Sequence, residues 1–376
     1  MNKQVRSIAL YLPQYHPIPE NDRWWGKGFT EWTNVAKANP LFKGHHQPHL
    51  PADLGYYDLR LDEVRVQQAE MAKAYGIYGF CYYHYWFNGR RILERPFQEV
   101  YESGKPDFPF MLCWANENWT RRWDGDEDDV LLEQKYSDED DEKHLEYLIK
   151  YFRDPRYIRV ENKPVICIYK SHLLPDPQKT AQTWRRIGAK HNMELYICHM
   201  VFSYVNQKTK HEGFDAVIDF EPFGIRREDV FRKIESNHSG KQMNANLLKK
   251  IIRKIKPSWL FKNPYLSYNM MDYDYYINNL ASLRSFDFKI FPTVVPGWDN
   301  TARKNTNPSL ILNNSTPEKF REWLSLVKAD FVPYSDEENF IFINAWDEWA
   351  EGNHLEPCKK WGSQYLQTIK DLLNSQ

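Results

Sequence analysis

Phe340-Ile341-Phe342-Ile343-Asn344-Ala345-Trp346-Asp347-Glu348-Trp349-Ala350-Glu351-Gly352 joins a short apolar run to a knot of tryptophans and acids. The run Phe340–Asn344 is β-prone and apolar at successive positions, the pattern of a strand buried on both faces of a parallel sheet. Seven more runs share it: Val5–Leu12, Ile77–Tyr83, Phe110–Trp114, Val165–Tyr169, Leu195–Met200, Ala216–Phe220 and Ile290–Val295. Helical spacing fills several gaps between them, at Asp62–Tyr75, Asp140–Phe152, Pro177–His191 and Pro317–Lys328, and a last helix is expected at Ser363–Leu373. Strands alternating with helices make parallel βαβ units, and eight such units allow the sheet to close.

The residues just past each run are more telling. Seven of the eight exit into polar and aromatic clusters, including Pro13-Gln14-Tyr15-His16, His84-Tyr85-Trp86, Asn116-Glu117-Asn118-Trp119, Gly297-Trp298-Asp299 and Trp346-Asp347-Glu348-Trp349. Closed barrels carry their chemistry at the C-terminal ends of the strands, so a site is expected there. A doubly wound open sheet gives the same local signals, but with fewer strands and a glycine-rich first turn, and no GxGxxG follows Leu12. The fold expected is therefore α/β, a single (β/α)8 TIM barrel over residues 1–376 with long βα loops after strands 1 and 6. Those loops are Gln14–Asp62, rich in Trp, His and Pro, and Glu221–Lys289, with helices of its own expected at Ala245–Ile255 and Asp274–Leu283. Loops of such length are usually functional walls or lids.

Composition narrows the function classes. The chain has 50 basic and 51 acidic residues, so no basic footprint points to nucleic acid or a membrane surface. Aromatic residues make up 16%, including 14 Trp, more than core packing alone requires, because a buried indole N–H needs a partner. A sugar ring or a wide amphipathic cleft would use them. Of the five cysteines, Cys81, Cys113, Cys167 and Cys198 sit in separate strand-like runs, and Cys358 adds no CxxC spacing. Buried thiols in a reducing compartment are expected. The polar Met1–Arg6 lacks the apolar region of a signal peptide, and no window reaches transmembrane length, so the expected location is cytoplasmic.

The chemistry is best placed on Glu348 and Glu351. Carboxylates three apart in a turn share a face, with Cβ atoms about 5–6 Å apart. Such crowding separates a pair into acid and base, and glycosidic bond cleavage needs that division. An acidic helix N-terminus would also explain the acids, though not their interleaving with Trp346 and Trp349. Glu117, flanked by amides suited to sugar hydroxyls, stands at another strand end, where a capping or loop role fits equally well; Glu31 and Asp299 are similar, and Glu221 is weaker. The candidate substrate contacts are Trp25, Glu31, Trp32, Tyr83, His84, Asn116, Glu117, Trp119, Trp298, Asp299, Trp346 and Trp349, with Gln14, His84, Glu117, Trp298 and Glu348 facing one mouth. No metal is expected: His45, His46 and His49 lie in Pro-rich sequence without i, i+4 spacing. In Asp124–Asp129 the glycine of a calcium loop falls on Asp129 and its closing Glu on Lys135. Asp126-Glu127-Asp128 has the Asp-x-Asp form with which some glycosyltransferases hold a metal nucleotide, a short signal in an acidic loop.

Longer strings carry a resemblance. Tyr11-Leu12-Pro13-Gln14-Tyr15-His16, Trp24-Trp25-Gly26-Lys27-Gly28-Phe29-Thr30-Glu31-Trp32, Cys113-Trp114-Ala115-Asn116-Glu117-Asn118-Trp119 and Pro296-Gly297-Trp298-Asp299-Asn300 resemble the WbsX-like family of bacterial polysaccharide-biosynthesis loci. That family is similar to glycoside hydrolase family 99, the endo-α-mannosidases and endo-α-mannanases, through Glu348-Trp349-Ala350-Glu351-Gly352 followed by Glu356-Pro357. The resemblance implies a retaining reaction without cofactor. The first Glu, here Glu348, would deprotonate the substrate's own 2-hydroxyl, which attacks C1 to give a 1,2-anhydro sugar. The second, Glu351, would protonate the leaving oxygen and then activate water. The resemblance implies an α-mannoside-like substrate; Asp347 and Ala350 stand where those hydrolases tend to have Asn and His, changes that leave the carboxylates intact and bear on that specificity. The biosynthetic setting of the family keeps open a nucleotide-sugar-dependent glycosyltransferase of O-antigen or capsule synthesis, although no phosphate loop or pyrophosphate clamp is evident in sequence. A catalytically silent carbohydrate-binding barrel would keep the Trp platforms alone. In each reading the partner is an oligo- or polysaccharide, with no nucleic acid and no integral membrane segment.

Overall fold

The computed structural model describes residues 5–121, 126–202, 211, 213–223, 268–280, 288–304 and 310–373. Its barrel strands are β1 (Arg6–Tyr11), β2 (Gly79–Phe87), β3 (Phe110–Trp114), β4 (Lys163–Ile168), β5 (Tyr196–Val201), β6 (Ala216–Asp219), β7 in two pieces (Ile290–Phe291 and Thr293–Val294) and β8 (Phe340–Ile343). Parallel ladders run β2 to β6 in sequence order, and β1 pairs with both β2 and β8. The break in β7 falls at Pro292, which has no N–H to give to a ladder. Its first piece pairs with β6 (Ile218↔Phe291) and its second with β8 (Val294↔Ile343), so the interrupted strand bridges its two neighbours and completes the ring. All eight runs named from sequence hold a barrel strand.

Helices α1 (Pro19–Trp25) and α2 (Glu31–Lys37) lie within the loop after β1. They are followed by α3 (Asp62–Ala74), α4 (Arg95–Ser103), α5 (Asp138–Phe152), α6 (Pro177–Lys190), α7 (Tyr273–Leu280), α8 (Pro317–Asp330) and α9 (Gln364–Leu373). Their starts follow local chemistry. Ser137, Asp176 and Thr316 each accept a hydrogen bond from the backbone N–H three residues on, and proline opens α6 and α8, where its missing donor costs nothing. Buried faces such as Leu145, Leu148, Ile149 and Phe152 of α5 pack into the same apolar cluster as the strands. The helix expected at Ala245–Ile255 lies outside the described residues, as does the end of the one expected at Asp274–Leu283, whose described part is α7.

One boundary matters for the site. Strand β2 does not stop at Tyr83 but runs to Phe87, because Tyr85, Trp86 and Phe87 pair antiparallel with Ile92, Arg91 and Arg90. His84 is therefore a strand residue, and alternation sends it to the face opposite Tyr83 and Tyr85. Among the described residues no helix is long and apolar enough to cross a membrane.

Candidate active site

At the C-terminal end of the strands lies a cavity of about 850 Å³. Leu12 and Gln14 after β1, Tyr83 and Tyr85 of β2, Glu117 and Trp119 after β3, and Tyr169 and Lys170 after β4 line it. Trp298 and Arg303 after β7 and Glu348 and Glu351 after β8 complete the working wall, with Trp25 contributed by α1. Four of the five residues expected at a common mouth are thus together: Gln14, Glu117, Trp298 and Glu348.

The acidic pair sits on a built turn. After β8 the chain makes a hairpin, Asp347–Glu348 against Asn353–His354, closed by a single 3₁₀ turn at Trp349–Glu351. Gly352 ends that turn at φ 59°, a left-handed conformation that favours glycine, and a Cβ there would lie 3.1 Å from Asp299 Cβ. That close approach lets Asp299 N–H donate to the Glu351 carbonyl at 2.6 Å, joining the loops after β7 and β8. The Asp299 carboxylate caps the following turn, accepting from Thr301 N (3.0 Å) and Thr301 Oγ1 (2.7 Å), and pairs with His45 at 2.6 Å. Arg303 emerges from this anchored turn.

Arg303 is the residue that sequence reasoning missed. Its guanidinium reaches Glu348 Oε2 at 2.6 Å, Glu351 Oε1 at 2.5 Å and Glu31 Oε1 at 2.6 Å, bringing three carboxylates from two loops onto one cation. Glu31, at the start of α2, is fully buried behind the wall. The only sequence signal was a cation four residues past Asp299 in a strand-end loop facing acids. Burial raises Glu348 to about 8, opposed by Arg303 and reinforced by the neighbouring Glu351 and Glu31. Burial also raises Glu351, again against Arg303 and with Glu31. Three carboxylates around one guanidinium would carry two net negative charges out of water, so retention of a proton within the cluster is favoured. A site with one protonated and one ionised carboxyl can donate and accept at once.

Several expected contacts stand behind the wall instead of on it. His84 points away from the cavity, its Nε2 3.1 Å from His144 Nε2 of α5, and burial pushes it down to about 3. Asn116 ties two strand ends, donating to the Lys170 carbonyl (2.9 Å) and accepting from Lys170 N (2.7 Å). Trp32 donates its indole N–H to the Tyr57 carbonyl at 2.8 Å. Trp346 is buried against Phe80, and Trp349 turns back to bond Glu356. Glu31 acts through Arg303, and Asp299 through the β7 loop that it caps. The Trp32 and Trp349 indoles and the Asn116 amide follow the rule that a buried donor finds a partner, which sequence cannot distinguish from a sugar-facing platform. Trp25, Tyr83, Glu117, Trp119 and Trp298 do line the cavity, Glu117 paired with Lys170 Nζ. Tyr85, Tyr169 and Lys170, which were not among the named candidate contacts, join them.

Among the described residues no group of three or more His, Cys, Asp or Glu is arranged to hold a metal ion. His45 serves Asp299, and His49 Nδ1 lies 3.0 Å from His354 Nε2. The side chains of Asp126, Glu127 and Asp128 lie outside the described residues.

The family model described as glycosyltransferase WbsX matches residues 7–369. Two curated relatives, both called uncharacterized protein WxcX and from two strains of Xanthomonas campestris pv. campestris, are 37% identical over 368 residues. The alignment covers 97% of this chain and 49% of each relative, so the chain spans about half the length of the curated relatives it matches. Among solved structures, a glycoside hydrolase-like protein superposes with a TM-score of 0.61 at 16% identity, covering 98% of this chain and 94% of that one. A GH99 endo-α-mannosidase from Bacteroides thetaiotaomicron, in complex with BIS-TRIS-propane, superposes with a TM-score of 0.57 at 13% identity, covering 98% and 96%. At these identities the likeness is one of fold, and it matches the (β/α)8 barrel seen here.

Proposed function

This chain belongs to the glycosyltransferase WbsX family, and from that premise we propose that it is a carbohydrate-active enzyme working through Glu348 and Glu351. The observation that carries the reading is the pair itself, two cavity-lining carboxyls on one turn with a shared guanidinium partner. The reaction proposed is retaining hydrolysis or transglycosylation of an α-glycoside of mannoside-like stereochemistry. Glu348 takes the proton of the substrate's 2-hydroxyl, that oxygen attacks C1, and Glu351 gives its proton to the departing glycosidic oxygen. Water or an acceptor hydroxyl, deprotonated by Glu351, then attacks C1 and opens the 1,2-anhydro sugar as Glu348 returns its proton to O2. Arg303 stabilises whichever carboxyl is ionised at each stage, and Trp25, Trp119 and Trp298 offer faces to sugar rings.

Asp347 supports this assignment despite departing from the hydrolase pattern. Burial, with Glu356 next, raises its carboxyl well above the usual range, and its Oδ2 is buried without a partner among the described residues. A neutral Asp347 resembles the Asn expected there in shape and charge. Cytoplasmic location and a single folded unit over 1–376 belong to the same proposal; the five cysteines, all free and buried, fit a reducing compartment.

A nucleotide-sugar-dependent transferase is the second reading, favoured by the family's description and by Lys170, Arg303 and Lys304 on the cavity wall. Calorimetric titration with nucleoside diphosphates and turnover of aryl α-glycosides divide the two. Tight nucleotide binding without glycoside turnover would transfer the assignment to the second, and inertness in both assays would leave a binding barrel.

A further inference from the structure

Glu356 takes no part in the cavity, yet it is built into the turn that carries the pair. Its carboxylate is buried behind the barrel mouth, where an ion is costly unless donors surround it. Three donors do, from three parts of the chain: Trp349 Nε1 at 2.6 Å and Tyr57 Oη at 2.8 Å on Oε2, and Gln68 Nε2 at 2.7 Å on Oε1. The Gln68 amide is itself oriented, because its oxygen accepts from Tyr11 Oη at 2.6 Å. Hydrogen bonds to an ionised acceptor are short and about twice as strong as neutral ones. The hairpin after β8 aims this carboxylate: Glu356 N–H donates to the Trp346 carbonyl at 3.2 Å, and the Glu356 carbonyl accepts from His354 Nδ1 at 2.9 Å. The His354 ring stacks on Trp349 with centroids 3.7 Å apart and 12° between planes. Trp349 is thus held by its edge and by its face, and it stands between Glu348 and Glu351.

We propose that Glu356 is the positioning residue of this turn, fixing Trp349 through its indole N–H so that Glu348 and Glu351 keep their places on the cavity wall. The inference rests on the reading of those two as the catalytic pair. A core residue chosen only for packing would not bring a carboxylate to three oriented donors. Burial raises Glu356 to about 7, against the lowering effect of the Trp349, Gln68 and Tyr57 hydrogen bonds, so the clamp is charged above neutrality and weakens below it.

The test uses the full chain labelled with ¹⁵N at its 14 tryptophans. Trp349→Phe deletes one indole resonance and thereby assigns it. In Glu356→Gln that resonance should shift more than any other, and the part of its movement with pH around 7 that survives in Glu348→Gln should vanish. With 2,4-dinitrophenyl α-D-mannopyranoside as probe, Glu356→Gln should lower kcat by up to about 100-fold, the scale of a small misplacement of catalytic groups, with KM within about twofold. Trp349→Phe, which keeps an aromatic ring and loses the N–H, should show the same loss, and the double variant should be no slower than the slower single one. A Trp349 resonance unmoved by Glu356→Gln, or losses that multiply in the double variant, would return Glu356 to the core. If Glu348→Gln and Glu351→Gln turn over at the wild-type rate, the catalytic pair falls, while the indole spectra still decide whether the clamp exists. Should Glu356→Gln fail to fold, the pH dependence of the wild-type resonance and the kcat of Trp349→Phe decide the matter.

Discussion

Arg303 and Glu348 are joined at 2.6 Å on the wall of the barrel mouth, and the same guanidinium also holds Glu351 and the buried Glu31. One largely buried cation therefore serves three carboxylates. Removing one partner of a buried pair costs far more than the pair contributes, because the remaining charge is stranded. That asymmetry makes the cluster testable.

Arg303→Met should destabilise the fold by about 3–5 kcal/mol at pH 8, since it strands carboxylates that were paired. The loss should shrink at pH 5, where Glu348, raised to about 8, is protonated. Urea titrations at the two pH values check this. Equal losses at both would mean that the carboxyls are not ionised around Arg303.

The raised carboxyls also set a slope on the wild type. For Glu348, raised to about 8, the favourable contribution is full below the unfolded value near 4.5 and is lost as pH rises toward 8. Buried His84 and His354, pushed down to about 3 and about 4, act oppositely, and their contribution is lost as pH falls below 6.5. Stability should peak on the acid side of neutrality, and Glu348→Gln should flatten the fall between pH 6 and 8. Melting temperatures across that range measure it, and an unchanged slope in the variant would remove Glu348 from the account.

The barrel was legible because strand burial leaves apolar runs and helices leave a 3.6-residue period, and Phe340–Asn344 against Pro317–Lys328 shows both. Strand parity was not. His84 and Tyr85 look alike as exits from a run, and only the pairing of Tyr85 with Ile92 decides which faces the cavity. Trp349 misled for a related reason, since an indole satisfied by Glu356 reads in one dimension like an indole awaiting a sugar, and Trp346 is a core ring packed on Phe80. Arg303 was invisible because its three partners lie up to 272 residues away in the chain. Glu348 and Glu351 were legible because their relationship is local.

A chelator separates the two enzymatic readings. Carboxylate chemistry on a glycosidic bond needs no Lewis acid, so EDTA should leave glycoside turnover unchanged. Loss of activity restored by manganese or magnesium would favour the transferase and direct attention to Asp126 and Asp128.

The division of labour within the pair is the sharpest test. If Glu351 is the acid, Glu351→Gln removes proton donation, an effect of about 10²–10⁴-fold. That deficit should shrink for a dinitrophenolate or fluoride leaving group, which departs without a proton. If Glu348 is the base acting on the 2-hydroxyl, Glu348→Gln should be slow on every substrate, whatever leaves. A 2-deoxy or 2-fluoro substrate should then be inert even to the wild type, because the attacking oxygen is missing. Mass spectrometry of the wild type incubated with a 2-fluoro glycosyl fluoride decides between routes. An unmodified chain fits attack by the 2-hydroxyl, whereas a sugar found covalently on Glu348 would make that carboxylate the nucleophile. Arg303 would then be its charge partner during attack, and the leaving-group dependence of Glu351→Gln would stand unchanged.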